Sequence, residues 1–190
     1  MALTLIGTPL VLTTDDTALC EYDITSGIDG TYDSYEFHFV NMHPATDNVV
    51  FSFQVNASND LASGGGEFDT SLITSTLFRA SHNETGTDAT ILEYVPSAAL
   101  AQQALFQPLG YYTGFDDDQS VSGVLTLYDP SSTTYVKHFT STANAVHANN
   151  HSMVGHVAGY INQALAIPEI RFKFSSGNID AGTIKMFGVS

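Results

Sequence analysis

Aromatic residues take every second position from Tyr35 to Phe39, alternating with Glu36, His38 and Val40, and the pattern resumes at Val49, Phe51, Phe53 and Val55 against Ser52 and Gln54. A period of two is the signature of a strand with one face in a core. The intervening Pro44 to Asn48 supplies turn residues, so the two runs are predicted to form a hairpin. Residues 71–81 and 90–95 read as further strands. Residues 120–130 and 134–142 form a second predicted hairpin across the turn sequence DPSST. Residues 156–161 add another strand. At the C-terminal end Ile170, Phe172 and Phe174 alternate with Arg171 and Lys173, and Ile184 and Met186 flank Lys185. This segment predicts a closing hairpin whose turn uses Gly177 at positive φ. Leu3, Leu5, Leu10 and Leu12 alternate around Pro9, as expected of an edge strand. One stretch departs from this period: residues 96–107, PSAALAQQALFQ, begin with Pro, are rich in Ala and Gln, and predict a short helix closed by Pro108. The expected fold is all-β, an antiparallel β-sandwich or jelly roll with one short helix, in a single domain over residues 1–190.

Composition supports strands over helices. Only 13% of residues are charged, there are twelve Phe and nine Tyr, and solubility rests on Ser, Thr, Asn and Gly. The net charge of −15 excludes a phosphate backbone or an anionic membrane as an expected partner. No multi-cysteine site is possible, because Cys20 is alone; it is expected to be reduced and buried. The start, MALTLIGTPLVLTT, lacks the basic region of an export signal.

The candidate chemistry is sparse. His147, His151 and His156 lie close in sequence, but Asn149, Asn150 and Gly155 argue against the helix that would aim two imidazoles at zinc, so a polar loop is the expectation. Asp116, Asp117 and Asp118 are consecutive in GFDDDQS; they read as a solvated turn, with Asp116 and Asp118 a weak calcium candidate. The glycine run in SGGGE, residues 63–67, lacks the Lys-Ser/Thr of a phosphate loop and reads as a flexible connection. Asn56, Asn83 and Asn150 begin glycosylation-type triplets at a frequency expected by chance. No spacing pairs a nucleophile with a base or two carboxylates, so neither catalysis nor a cofactor is expected. Three of the five basic residues, Arg171, Lys173 and Lys185, fall in the last 20 residues. They predict either a basic strip touching an acidic neighbouring subunit or cations that offset acidic strands nearby.

Three stretches, YDSYEFHFVNMHPATDN, DDDQSVSGVLTLYDPSSTTYVKHF and IRFKFSSGNIDAGTIKMFGVS, resemble a family of virion structural proteins from tailed phages of marine bacteria. Gly27, Ile28, Asp29 and Thr31 to Tyr35 match the family's opening strand. Ser175 to Ile179 and Gly182 to Lys185 match its end, and Phe187 stands where Tyr is frequent. The resemblance implies a β-sandwich with a structural or tail-fibre-like role and no catalytic residues. The sequence is expected to begin directly with the sandwich, without the N-terminal helix or attachment domain of a full fibre, an expectation that favours a small accessory protein. The expectation is a capsid cement or decoration protein, made in the host cytoplasm and carried on the virion. Its expected partners are other virion proteins (the major capsid protein or tail components) and copies of itself, with a trimer as one form. The alternative is a tail or fibre-tip module that binds host-surface glycan through Tyr111, Tyr112 and Phe115.

Overall fold

The computed structural model describes residues 2–13, 18–57, 68, 71–87 and 90–190. The described residues form thirteen strands, beginning with β1 (Leu3–Leu12), β2 (Tyr22–Ile24), β3 (Ser34–Pro44), β4 (Val49–Asn56), β5 (Ile73–Asn83), β6 (Ile91–Tyr94) and β7 (Ala101–Gln103). They continue with β8 (Gln107–Thr113), β9 (Val121–Tyr128), β10 (Lys137–His147), β11 (His151–Ile161), β12 (Glu169–Phe174) and β13 (Ile179–Val189). All pair antiparallel in the order β1-β13-β3-β9-β10-β8-β4-β12-β2, with β11 on β10, β5 on β11, and β6 and β7 on β5. The predicted all-β fold is correct.

The sheet folds on itself at one pair, His147 of β10 with Thr113 of β8. On one side of this corner lies a small layer, β2-β12-β4-β8. On the other lies a broad layer, β1-β13-β3-β9-β10-β11-β5 with the β6 and β7 edge. The predicted alternation decides which face each strand buries. Tyr35, Phe37 and Phe39 of β3 and Phe51, Phe53 and Val55 of β4 are all fully buried. Rings meet across the layers, Phe39 with Phe51 at 5.2 Å, Phe37 with Phe172 at 5.7 Å and Phe53 with Phe139 at 5.1 Å.

Those contacts overturn two predicted hairpins. β3 pairs with β13 and β9, while β4 pairs with β8 and β12, so the chain crosses between layers at residues 45–48. Likewise β12 lies in the small layer and β13 in the broad one, and residues 175–178 form a second crossing. Alternation specifies which residues are buried; it is silent on whether two strands face each other or lie side by side. The two crossings brace each other, since the Ala45 N–H donates to the Asn178 carbonyl at 3.0 Å. The hairpin predicted between β9 and β10 is present, with Phe139 opposite Leu127.

The predicted helix is absent from the described residues. Pro96 starts a single turn, in which the Ala98 and Ala99 N–H groups reach the Val95 carbonyl. The chain then runs as β7 and β8. Local propensity loses because β5 claims the backbone: Ser75 N–H donates to the Leu100 carbonyl and Leu100 N–H to Ser75 Oγ. Gln107, also fully buried, accepts from Ser75 Oγ at 2.5 Å and donates to the Ala98 carbonyl at 3.1 Å. Cys20 is exposed rather than buried, because it follows an isolated bridge between Leu19 and Ile179 and belongs to no strand. β1 is an edge strand as expected, pairing only with β13 among the described residues. Residues 63–67 lie outside the described residues.

Candidate functional site

Four connections, 45–48, 114–120, 148–150 and 175–178, gather at one end of the sandwich, where β4, β8, β9, β10, β11 and β13 begin or end. Two grooves open there. The first, about 410 Å³, is lined by Asp47, Asn48, Tyr112, His147, Ala148 and Asn149. The second, about 480 Å³, is lined mainly by Asn41, His43, Asp117, Asp118, Gln119 and Asp180.

The first groove is held by unusual backbone. Asn48 (φ 59°), Tyr112 (φ 50°) and Asn150 (φ 57°) all take left-handed conformations. Asparagine tolerates this region through its short polar side chain; a tyrosine there is a true outlier, and such strain gathers at functional positions. Tyr112 sits edge-on to Tyr111 at 5.0 Å and edge-on to His147 at 5.5 Å. The Arg79 guanidinium stands over both tyrosine rings, 5.6 Å and 5.8 Å from their centres, and pairs with Glu93 at 2.6 Å.

His147 has a defined proton. The Asn149 backbone N–H donates to its Nδ1 at 2.9 Å, so in the neutral ring the hydrogen is on Nε2. Burial holds the His147 pKa below its ordinary value, with further depression by His151 and Arg79 against a weaker opposing pull from Asp47. The groove therefore combines a neutral imidazole donor, a carboxylate, two amide side chains and an aromatic ring. That set can satisfy a polyhydroxylated ligand through hydroxyl hydrogen bonds and ring stacking, and its volume falls within the ordinary range of about 300–1,000 Å³ for ligand pockets.

A buried glutamine divides the two grooves. Gln119 Nε2 donates to Asn150 Oδ1 at 2.7 Å, and Gln119 Oε1 accepts from the Asp116 N–H at 3.3 Å. In the second groove His43 Nε2 reaches the Asp116 carbonyl at 3.3 Å, and its Nδ1 lies 3.4 Å from Asp180.

Of the residues predicted to touch glycan, Tyr112 lines the first groove. Tyr111 is only 9% exposed and stands behind it. Phe115 is exposed on the 114–120 loop but lines neither groove. Asp116 and Asp118 are exposed on that loop, and no group of three or more His, Cys, Asp or Glu among the described residues is arranged to hold a metal ion. The expected loop around the histidines is confined to residues 148–150. His147 and His151 lie on β10 and β11, directly opposite, with ring centres 5.5 Å apart, and His156 is farther along β11. Asp47, Asn48 and Asn149 were missed, and His147 was weighed only as a zinc ligand; the one signal was the left-handed tendency of Asn in a short turn, realised at Asn48.

The basic residues do not form one strip. Arg171 is clamped within the chain: its Nε and Nη2 donate to the two Asp23 carboxylate oxygens at 2.6 Å and 2.7 Å. Its Nη2 also meets Glu21 at 2.9 Å, and the guanidinium lies 4.3 Å from the Phe68 ring centre. Lys173 lies 4.1 Å from the Phe106 ring centre. Both point outward from the small layer, since Ile170, Phe172 and Phe174 of the same strand are buried. Lys185 points outward from the broad layer, between buried Ile184 and Met186. The core separates the two groups. Two glycosylation-type asparagines, Asn56 and Asn83, are buried, and Asn56 donates to Glu169 at 2.9 Å.

No family model matches the chain, and neither a curated protein nor a solved structure matches it significantly.

Proposed function

We propose that the chain is a structural accessory protein of a phage particle, carried on the capsid surface as a cement or decoration protein. The observation that carries this reading is the outer face of the broad layer. Across β1, β13, β3, β9, β10, β11, β5 and β6 the formal charges are few, with Glu36 and Lys185 along the strands, Asp180 beside His43 at the loop end and Glu93 paired with Arg79 at the β6 edge, in a chain whose net charge is −15. A wide, nearly charge-free face of this kind suits packing against other subunits. The family resemblance in the opening strand and the terminal segment supports the same role, with the major capsid protein or tail components as partners. Particle reconstruction, with the protein located in the density, tests it: absence from the head shell removes the decoration role, and absence from the whole particle removes the virion role.

A second reading follows from the Tyr112 groove. A module of the tail or fibre tip would recognise host-surface glycan there, with Tyr112 as the stacking ring and Asp47, Asn48, His147 and Asn149 bonding hydroxyls. Tyr112→Ala should abolish binding of the purified protein to host-cell polysaccharide, while Phe115→Ala leaves it unchanged. Unmodified protein that neither binds that polysaccharide nor competes with phage adsorption would sink the reading.

A further inference from the structure

We infer that the outer face of the broad layer is covered by a second copy of this chain, packed sheet against sheet about a two-fold axis. The inference rests on the structural role proposed above and names the neighbour at that face.

Charge makes the first argument. Two chains of net charge −15 repel wherever their acids face each other. The acids cluster elsewhere, with Asp47, Asp116, Asp117, Asp118 and Asp180 at the loop end and Glu21, Asp23 and Glu169 on the small layer and its borders. On the broad face Glu36 is bonded to His38 at 2.8 Å. Centrally, the face is made of Thr126, Thr140, Thr142 and Ala158 in cross-strand register. It is the surface on which like copies meet with least repulsion.

Apolar area makes the second. One border of the face carries Leu92, 78% exposed, and Tyr94, 55% exposed, beside Phe78, whose ring stacks on His156 at 4.9 Å. The other carries Leu5, Val40 and Val11, the last 60% exposed. Strands spaced about 4.8 Å apart, seven of them with the β6 edge, and outward residues about 6.7 Å apart along each give a face of roughly 900 Å². Stable interfaces bury about 800 Å² per partner, so this face suffices for a dimer. A two-fold axis parallel to the strands, between β9 and β10, lays the aromatic border of one copy over the aliphatic border of the other. Such a contact is self-complementary and closes at two copies.

Sedimentation velocity of the purified full chain from about 1 to 100 μM tests this. The unmodified protein should sediment as a dimer. Ala158→Asp, which adds a charge at an exposed central position without removing a hydrogen-bonding side chain, should sediment as a monomer that keeps the far-ultraviolet circular dichroism of the unmodified protein. Ser176→Asp, at the loop end, should remain dimeric. A monomeric unmodified protein, a trimer, or an Ala158→Asp dimer overturns the inference. A monomer that still occupies the particle with this face on another virion protein also overturns it, yet leaves the virion reading intact. A dimer absent from particles does the reverse.

Discussion

At the scale of single residues, the surroundings of His147 couple its protonation to folding. His147 is half-buried beside His151 and Arg79, and its pKa is held below the ordinary value near 6.5. The unfolded chain therefore binds more protons at this site between the depressed folded value and 6.5. Stability from His147 is complete above about pH 6.5 and declines as pH falls through that window. His147→Gln keeps a polar side chain of similar reach and removes the titration. Thermal melts of both proteins at pH 7.5 and pH 5.5 should show a smaller acid-induced drop for the variant; equal drops would mean that another group dominates. Asp29 belongs to the opposite end. Bonding from the Thr31 side chain lowers its pKa most, joined by the Thr31 N–H, which donates to the carboxylate at 2.8 Å, and the Tyr35 hydroxyl at 3.0 Å. The opening motif SGIDGTYDSY thus has a local job, fastening the loop before β3.

At the scale of elements, the periodicity of two located β3, β4, β5, β9, β10, β12 and β13 and named buried residues in β3, β4, β12 and β13, because burial alternates with the pleat wherever one face meets a core. It did not reveal which strands pair. The Phe37, Phe39, Phe51 and Phe53 pattern is the same whether β3 and β4 lie side by side or face to face, and the choice depends on partners such as β13 that are distant in sequence. The helix expected at 96–107 failed for a related reason, as Ala and Gln were weighed without the donors and acceptors of β5. The groove was the least legible part, because Asp47 comes from the 45–48 crossing and Tyr112 and His147 from the ends of β8 and β10, all distant in sequence. The braced crossings offer a direct check. Gly177 has φ 69°, and a Cβ there would sit 2.1 Å from Thr46 Oγ1 in the neighbouring crossing. Gly177→Ala should destabilise the protein by about 1–2 kcal/mol from the left-handed conformation, plus the clash. Adding Thr46→Ala should recover the Oγ1 clash, while the Thr46 Cβ at 2.9 Å and the conformational part remain. Urea denaturation of the two single variants and the double variant measures this coupling, and strictly additive losses would show that the crossings do not bear on each other.

At the scale of the whole molecule, the sandwich concentrates net charge on some surfaces and leaves one broad face nearly bare. Arg171 contributes to this division by neutralising Asp23 and Glu21 at the β2 border instead of reaching a neighbour. Two forces then compete when copies associate. Apolar burial at the broad face draws them together and is little affected by moderate salt. Repulsion between the remaining acids opposes association over distances of about 10 Å at 0.1 M ionic strength and about 30 Å at 0.01 M. Added salt should therefore tighten self-association, whereas an interface built on pairing the basic C-terminal residues with acids would loosen. Raising sodium chloride from about 10 to 300 mM at neutral pH should lower the dimer dissociation constant several-fold, the Debye length shrinking to well below the size of the face. Sedimentation equilibrium at several salt concentrations reads that slope. A dissociation constant that rises with salt would place the contact on charge pairs such as those of Lys173 on the small layer and remove the bare face from the interface.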